Sequence, residues 1–276
     1  WHEYEKDSKS RLNNVFTLKW SLMMYDIEMQ EMSESFYKCW NAAGAHLNKQ
    51  VQGGIQSWLR AHPYLPFLEH LSFRLGNQLF FVRVEDVDHN VQVPGSLRGL
   101  HAVAHGNRGH ACILPMKKQF FKGEWMPEQH GWGLVDATTG RPVDPFALVT
   151  DEKIEMTDWE LQDLAVQVVR DDLQSKKYQL MTWQSNPDVD PSLWFVGDSG
   201  GPEWIVIRAA RYPLNNAPRP ENWQNIANEC AQKLSGIGHF ASVAIASAEQ
   251  PFMTSNEPAL PLWRGHAMHV RFTGLE

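Results

Sequence analysis

The sequence predicts an α+β chain, and three observations carry that reading. Apolar residues recur at helical spacing from Phe36 to Trp58, two apolar runs flank a Gly76-Asn77 dipeptide, and a capped amphipathic run from Thr157 precedes three strand-like segments.

Residues 1–62 read as N-terminal helices. Phe36, Trp40, Ala43, Leu47, Val51, Ile55 and Trp58 line one helical face, with Gly53-Gly54 weakening its end, while Met23, Met24, Met29 and Met32 give the preceding stretch adaptable apolar surface. Such a face suits a helical hairpin packed on its own domain; the alternative is a surface for a protein partner or for self-association. Pro63 and Pro66 end the helices and open an α+β segment over residues 63–150. Leu71-Ser72-Phe73-Arg74-Leu75 and Gln78-Leu79-Phe80-Phe81-Val82-Arg83-Val84 form a β-hairpin around Gly76-Asn77. A short helix over residues 95–105, a strand over 110–116 and a turn after Trp132-Gly133-Leu134-Val135-Asp136 follow. Residues 143–151, which follow Pro142 and contain Pro145, read as a linker.

Residues 151–276 read as a separate α/β domain. Thr157-Asp158-Trp159-Glu160 is a capping box, in which a Thr oxygen and a Glu carboxylate satisfy free backbone donors at a helix start. Leu161, Leu164, Ala165, Val168, Val169 and Leu173 then mark one helical face. Strand patterns follow over residues 178–184, 192–197 and 203–212, separated by turns rich in Asn, Asp, Pro and Gly. A helix over residues 221–235 carries Trp223, Ile226, Ala227, Cys230, Ala231 and Leu234 on one face. Strands over 239–248 and 266–272 complete an α-β-β-β-α-β order with one further strand.

With 25 Lys+Arg against 32 Asp+Glu, the chain has a net charge of −7, which excludes the globally basic composition of a nucleic-acid coat. Residues 1–150 hold 15 basic and 15 acidic residues, so residues 151–276 hold 10 and 17 and carry the whole excess. At 43% hydrophobic and 21% charged residues, wholesale disorder is excluded. Three widely spaced cysteines, Cys39, Cys112 and Cys230, suit free thiols in the cytoplasm better than a disulfide framework. No apolar run approaches the roughly 18 residues of a membrane helix. The chain opens on Trp1, leaving room for an upstream segment, and its first ten residues are polar, unlike a signal peptide.

The order helix, three strands, helix, strand over residues of about 155–275 resembles the PD-(D/E)xK nuclease-like, or restriction-endonuclease-like, fold, a three-layer architecture. The resemblance implies a helix Glu, an Asp on the second strand and Glu-x-Lys on the third, holding Mg²⁺ that activates a water. Glu160 matches the helix acid. Ser192 occupies the position of the strand Asp, with Asp188 and Asp190 displaced into the preceding turn. Val206-Ile207-Arg208 stands in place of Glu-x-Lys, with Asp198 and Glu203 as acids that could have migrated. Arg208 stays protonated and can clamp a phosphate, but it is a poor proton acceptor. The resemblance thus implies a scaffold without catalysis, or a Mg²⁺-dependent nuclease redeploying Glu160, Asp190 or Asp198, Glu203 and Arg208.

Gly197-Asp198-Ser199-Gly200-Gly201-Pro202 is identical to the hexapeptide around the nucleophilic Ser of trypsin-like serine proteases. That similarity implies an acyl-transfer site at Ser199, with His105 and Asp144 or Asp151 as relay partners, although two predicted helices stand where barrel strands are required. His101, His105, His110 and Cys112 form a weak zinc candidate, since positions i and i+4 of a helix put two imidazoles on one face. The expectation is a cytoplasmic, prokaryotic-type, non-catalytic binding or regulatory protein, with the nuclease and the serine hydrolase as alternatives.

Overall fold

A computed structural model describes residues 33–60, 71–91, 93, 96–119, 123–250, 252 and 258–276. The Met-rich stretch with Met23, Met24, Met29 and Met32, and the breakers Pro63 and Pro66, lie outside these residues. The described chain is mixed helix and sheet, as expected of an α+β protein.

Helix α1 (Glu34–Lys49) is capped by Ser33, whose hydroxyl accepts the Phe36 N–H, and it buries Phe36, Cys39, Trp40, Ala43 and Leu47. The helical spacing predicted a longer run, to Trp58. Instead Gly53 and Gly54 take φ of 79° and 83°, which turns the chain, and Trp58 lies on strand β1 (Ser57–Arg60). Periodicity continued across that break because a strand residue packed on the same core mimics the next helical position. Strands β2 (Leu71–Leu75) and β3 (Gln78–Asp86) form the expected hairpin, with Leu75 opposite Gln78 and Gly76 at φ 56°. Helix α2 (Leu97–Gly106) then crosses to β4 (His110–Lys118), which runs parallel to β3. Strands β5 (Trp125–Pro127) and β6 (Val135–Asp136) both pair with β4. The sheet order is β1-β2-β3-β4-β5, so the expected boundary at residue 62 falls inside one sheet.

The stretch predicted as a linker contains the short helix α3 (Pro145–Leu148), capped by Asp144, and Asn77 ties it down by donating to Thr150 Oγ1 and to the Glu152 carbonyl. Helix α4 (Asp158–Ser175) begins at the capping box. Strands β7 (Gln179–Trp183), β8 (Leu193–Val196) and β9 (Pro202–Arg211) form an antiparallel meander. Helix α5 (Trp223–Lys233) crosses to β10 (Gly238–Ser247), parallel to β9, and β11 (Met268–Phe272) closes the order β7-β8-β9-β10-β11.

The two halves therefore share one topology: helix, three-strand meander, crossover helix, parallel strand, antiparallel strand. Their side chains share the layering. In the first half Phe73, Phe80, Val82, Cys112 and Leu114 face α1, while Leu79 and Phe81 face α2 with Leu100 and Ala104. In the second half Leu193, Phe195, Ile205, Ile207, Ala241 and Val243 face α4. The opposite face carries Trp204 and Phe240 against Trp223 of α5. Alternation of side chains along each strand makes this two-sided burial unavoidable once helices cover both faces.

Strand β9 is longer than its neighbour β8, which leaves backbone groups of β9 without a ladder partner. Helix α4 and the chain before β8 supply them. Gln162 Nε2 donates to the Ile207 carbonyl at 2.7 Å, Gln162 Oε1 accepts the Ala209 N–H at 3.1 Å, and Ser192 Oγ accepts the Ile207 N–H at 3.1 Å. Buried backbone groups need such partners.

Candidate functional site

The acids singled out by the nuclease resemblance lie in three separate places. Glu160 sits in the first turn of α4 and completes the capping box, accepting the Thr157 N–H at 2.9 Å. Its carboxylate also receives Arg264, whose Nε lies 2.9 and 3.0 Å from the two oxygens and whose Nη2 lies 2.8 Å from one of them. Both side chains are buried. Arg264 further donates to the carbonyls of Asn107 and Arg108 at the end of α2, and Thr157 Oγ1 donates to Asn107 Oδ1 at 2.6 Å. Glu160 is thus the centre of a polar hub that joins the two halves. Sequence reasoning identified the cap and missed Arg264, for which residues 258–266 give no local signal.

Asp190 forms a two-pronged ion pair with Arg208, with Nη1 2.9 Å from Oδ1 and Nη2 2.5 Å from Oδ2. This fork geometry suits a guanidinium and a carboxylate and leaves Asp190 neutralised. Ser192, at the position of the strand Asp, spends its hydroxyl on the β9 backbone, and Val206 and Ile207 are core residues.

Glu203, at the start of β9, gathers the residues of the Gly197–Pro202 loop. Ser199 Oγ donates to its Oε1 at 2.7 Å and the Ser199 N–H does so at 3.3 Å. His239, on the neighbouring β10, places Nε2 at 2.8 Å from Oε2. Burial works to raise the Glu203 carboxyl, but the hydrogen bonds from Ser199 and His239 together outweigh it and hold the group below the usual carboxylate range. Beside it, Tyr178 Oη donates to Asp198 Oδ2 at 2.6 Å, and Tyr178 and His239 both contact the Phe195 ring. A serine, a glutamate and a histidine are therefore assembled, in an order unlike a protease relay. There the imidazole stands between hydroxyl and carboxylate and takes the hydroxyl proton. Here the carboxylate stands between serine and histidine, and Ser199 Oγ also accepts the Gly201 N–H at 3.3 Å, as in an ordinary polar turn. His105 and Asp144 are not among the groups that contact Ser199; Asp144 instead caps α3.

The zinc quartet is divided by the first sheet. His101 and His105 lie on α2, whereas His110 and Cys112 point to the α1 face, where His110 stacks on Phe80 and Cys112 is fully buried. Positions 110 and 112 share a face because strand side chains alternate, and that face is the one opposite α2. Among the described residues, no three His, Cys, Asp or Glu side chains converge on a point that could hold a metal ion.

The residue that sequence reasoning missed here is His239. Strand register supplies the correspondence that local pattern does not: His110 holds the same register position in the first sheet, opposite Phe80 as His239 is opposite Ile205, with Gln78 Oε1 3.0 Å from its Nε2 as Glu203 is for His239. Trp58 and Trp183, and Ser72 and Ser192, also correspond through the strand registers.

No helix among the described residues is long and apolar enough to cross a membrane. Neither the curated proteins nor the solved structures contain a match to the chain. Residues 159–276, the second of the two repeated halves, match the family model of a domain of unknown function, DUF8840.

Proposed function

We propose that the chain is a non-catalytic binding or regulatory protein whose second half is built on a PD-(D/E)xK nuclease-like scaffold. The succession of α4, three strands, α5 and a parallel strand supports the scaffold. One observation carries the non-catalytic reading: the acids matched to the motif are engaged by partners within the chain, Asp198 by the Tyr178 hydroxyl and the others by stronger contacts. Glu160 is bound to Arg264, Asp190 to Arg208, and Glu203 to Ser199 and His239. A Mg²⁺ ion needs several oxygens within about 2.1 Å, and recruiting these carboxylates would break buried ion pairs first. The proposal includes a cytoplasmic setting, in keeping with three free buried thiols, and a protein partner or self-association through the N-terminal helices.

Titration calorimetry with Mg²⁺ and Mn²⁺, run beside cleavage assays on single- and double-stranded DNA and RNA, tests it. The expected result is neither metal binding nor cleavage. Metal-dependent cleavage that disappears in folded Asp190→Asn or Glu203→Gln protein would overturn the reading in favour of a nuclease. Labelling of Ser199 by a fluorophosphonate would overturn it in favour of a hydrolase.

A further inference from the structure

The contact between the two halves joins unlike faces. The first half offers the side of its sheet that carries α2: Trp159 of α4 packs on Phe81 beside Leu79, Leu100 and Ala104, with the two ring centroids 5.6 Å apart. At the end of α2 the carbonyls of Asn107 and Arg108 accept from Arg264, and Asn107 Oδ1 accepts from Thr157. The second half offers the outer side of α4, the helix that corresponds to α1, and Gln167 Nε2 extends the contact to the Trp58 carbonyl on β1 at 3.3 Å. One half thus contributes its crossover-helix face and the other its first helix. A contact between unlike faces leaves each partner with the other face of the pair, so it can recur along a line of copies.

Burial marks those remaining faces. Helix α4 is enclosed from two sides and buries Glu160, Gln162 and Asp163 as well as its apolar stripe. Helix α1 buries one side, with Phe36, Cys39, Trp40, Ala43 and Leu47, and leaves Glu34, Tyr37, Lys38 and Ala45 exposed. Tyr37 is 39% exposed and stands one turn beyond the Ser33 cap, as Trp159 follows closely on the Thr157 cap.

In the second half, the turn after α5 stands where Asn107 and Arg108 stand after α2. His110 and His239 correspond by register, which makes Ile237 the counterpart of Arg108 and Gly238 that of Gly109. The two glycines meet corresponding residues: a Cβ would run into Leu79 at Gly109 and into Trp204 at Gly238. Arg108 gives its carbonyl to the hub, whereas Ile237 and Leu234 are large apolar side chains 46% and 38% exposed. The docking position is polar and occupied in the first half, and apolar and exposed in the second. Scattered apolar residues on a surface are ordinary, so it is their place at a position that serves as an interface in the sister copy that distinguishes these two. Charge selects the partner: residues 151–276 carry the whole net charge of −7 while residues 1–150 are balanced, so a contact from second half to first avoids setting like charge against like.

We propose that copies of this chain associate head to tail, the outer side of α1, centred on Tyr37, docking on the turn after α5, centred on Leu234 and Ile237, of the next copy. The contact repeats between molecules the one that α4 makes with the turn after α2 inside each. It specifies the surface for the self-association proposed above and rests on that part of the reading, independently of the loss of catalysis.

Sedimentation velocity and small-angle scattering of the full chain over a concentration series test it. The expected result is association past the dimer, as open chains or closed rings. Tyr37→Asp and Ile237→Asp should each abolish association at concentrations where the wild type is fully associated. Both should keep the wild-type melting temperature, because both side chains are exposed. An equal mixture of the two variants should form dimers and nothing larger, since it retains one intact pair of faces. If an Asp variant fails to fold, Tyr37→Ser or Leu234→Ser takes its place. A wild type that stays monomeric, a dimer that does not grow, a folded variant that assembles like the wild type, or a mixture that stays monomeric would each overturn the proposal. A monomeric wild type would leave the non-catalytic reading standing, because metal binding and cleavage decide that one.

Discussion

His110 and His239 occupy the same position in two copies of one fold, and each turns its Nε2 onto a residue at the start of the neighbouring strand. The partner is Gln78 in one case and Glu203 in the other. The exchange of an amide for a carboxylate makes the second pair an ion pair when the imidazole is protonated, while the first stays neutral in its acceptor.

Glu203 should make stability depend on acid. Its carboxyl lies below the usual range in the folded chain, so the folded state binds fewer protons than the unfolded one over that window. The contribution is complete above the unfolded carboxylate value near 4.5 and is lost as pH falls through the lower folded value. Glu203→Gln should cost about 1–3 kcal/mol at pH 7, the scale of leaving buried hydrogen-bond donors poorly paired. The gap from wild type should close on acidification in urea unfolding measured between pH 3 and pH 7. A gap independent of pH would refute the assignment.

His110 should titrate below the ordinary histidine range. Burial disfavours its charged form first, Asp136 opposes that, and Arg264 reinforces it. The folded chain therefore takes up its proton later than the unfolded chain as pH falls, and stability declines from pH 6.5 downward until the folded value is passed. Proton NMR titration of the His110 ring reads the shift directly. A midpoint at or above 6.5 would contradict it.

Breaking the hub should be severe, and breaking it on both sides less so. Arg264→Ala leaves Glu160 buried and uncompensated, which costs about 3–5 kcal/mol. Pairing Arg264→Met with Glu160→Gln removes both charges and should recover part of that loss. A double-mutant cycle by urea unfolding measures the coupling, and additive losses would show that the two side chains act separately.

Gly238 should not tolerate a side chain. A Cβ there would run into the indole of Trp204, which is fully buried between β9 and α5. Gly238→Ala should destabilise by about 1–3 kcal/mol, the usual cost of overpacking a core. Thermal melting decides it, and an unchanged midpoint would mean that the indole has room to move.

The three thiols should be silent in the folded chain. Burial pushes Cys39, Cys112 and Cys230 up to about 12, so almost no thiolate exists near neutral pH. Labelling by a disulfide reagent at pH 8 should track global unfolding as urea is added. Fast labelling without urea would place at least one thiol at the surface.

Local pattern made most of the secondary structure legible. The Gly76-Asn77 hairpin, the Thr157 capping box and the strands on either side of Ser199 were readable because turn chemistry, capping and alternation act within a few residues. The helix expected to reach Trp58 failed at Gly53-Gly54, where two positive φ angles redirected a run whose apolar spacing continued regardless. The duplication was less visible. Its correspondences, such as His110 with His239 and Trp58 with Trp183, are set by strand register, while the loops between them differ in length.

The sequence alone determined most of the elements, the acidic excess of residues 151–276 and the chain positions of Glu160, Asp190 and Glu203. The tertiary structure decided what those acids do. Arg264 reaches Glu160 across 104 positions of chain and the Asn107 carbonyl across 157. No local periodicity encodes a contact of that range, because it exists only where the two sheets are brought together.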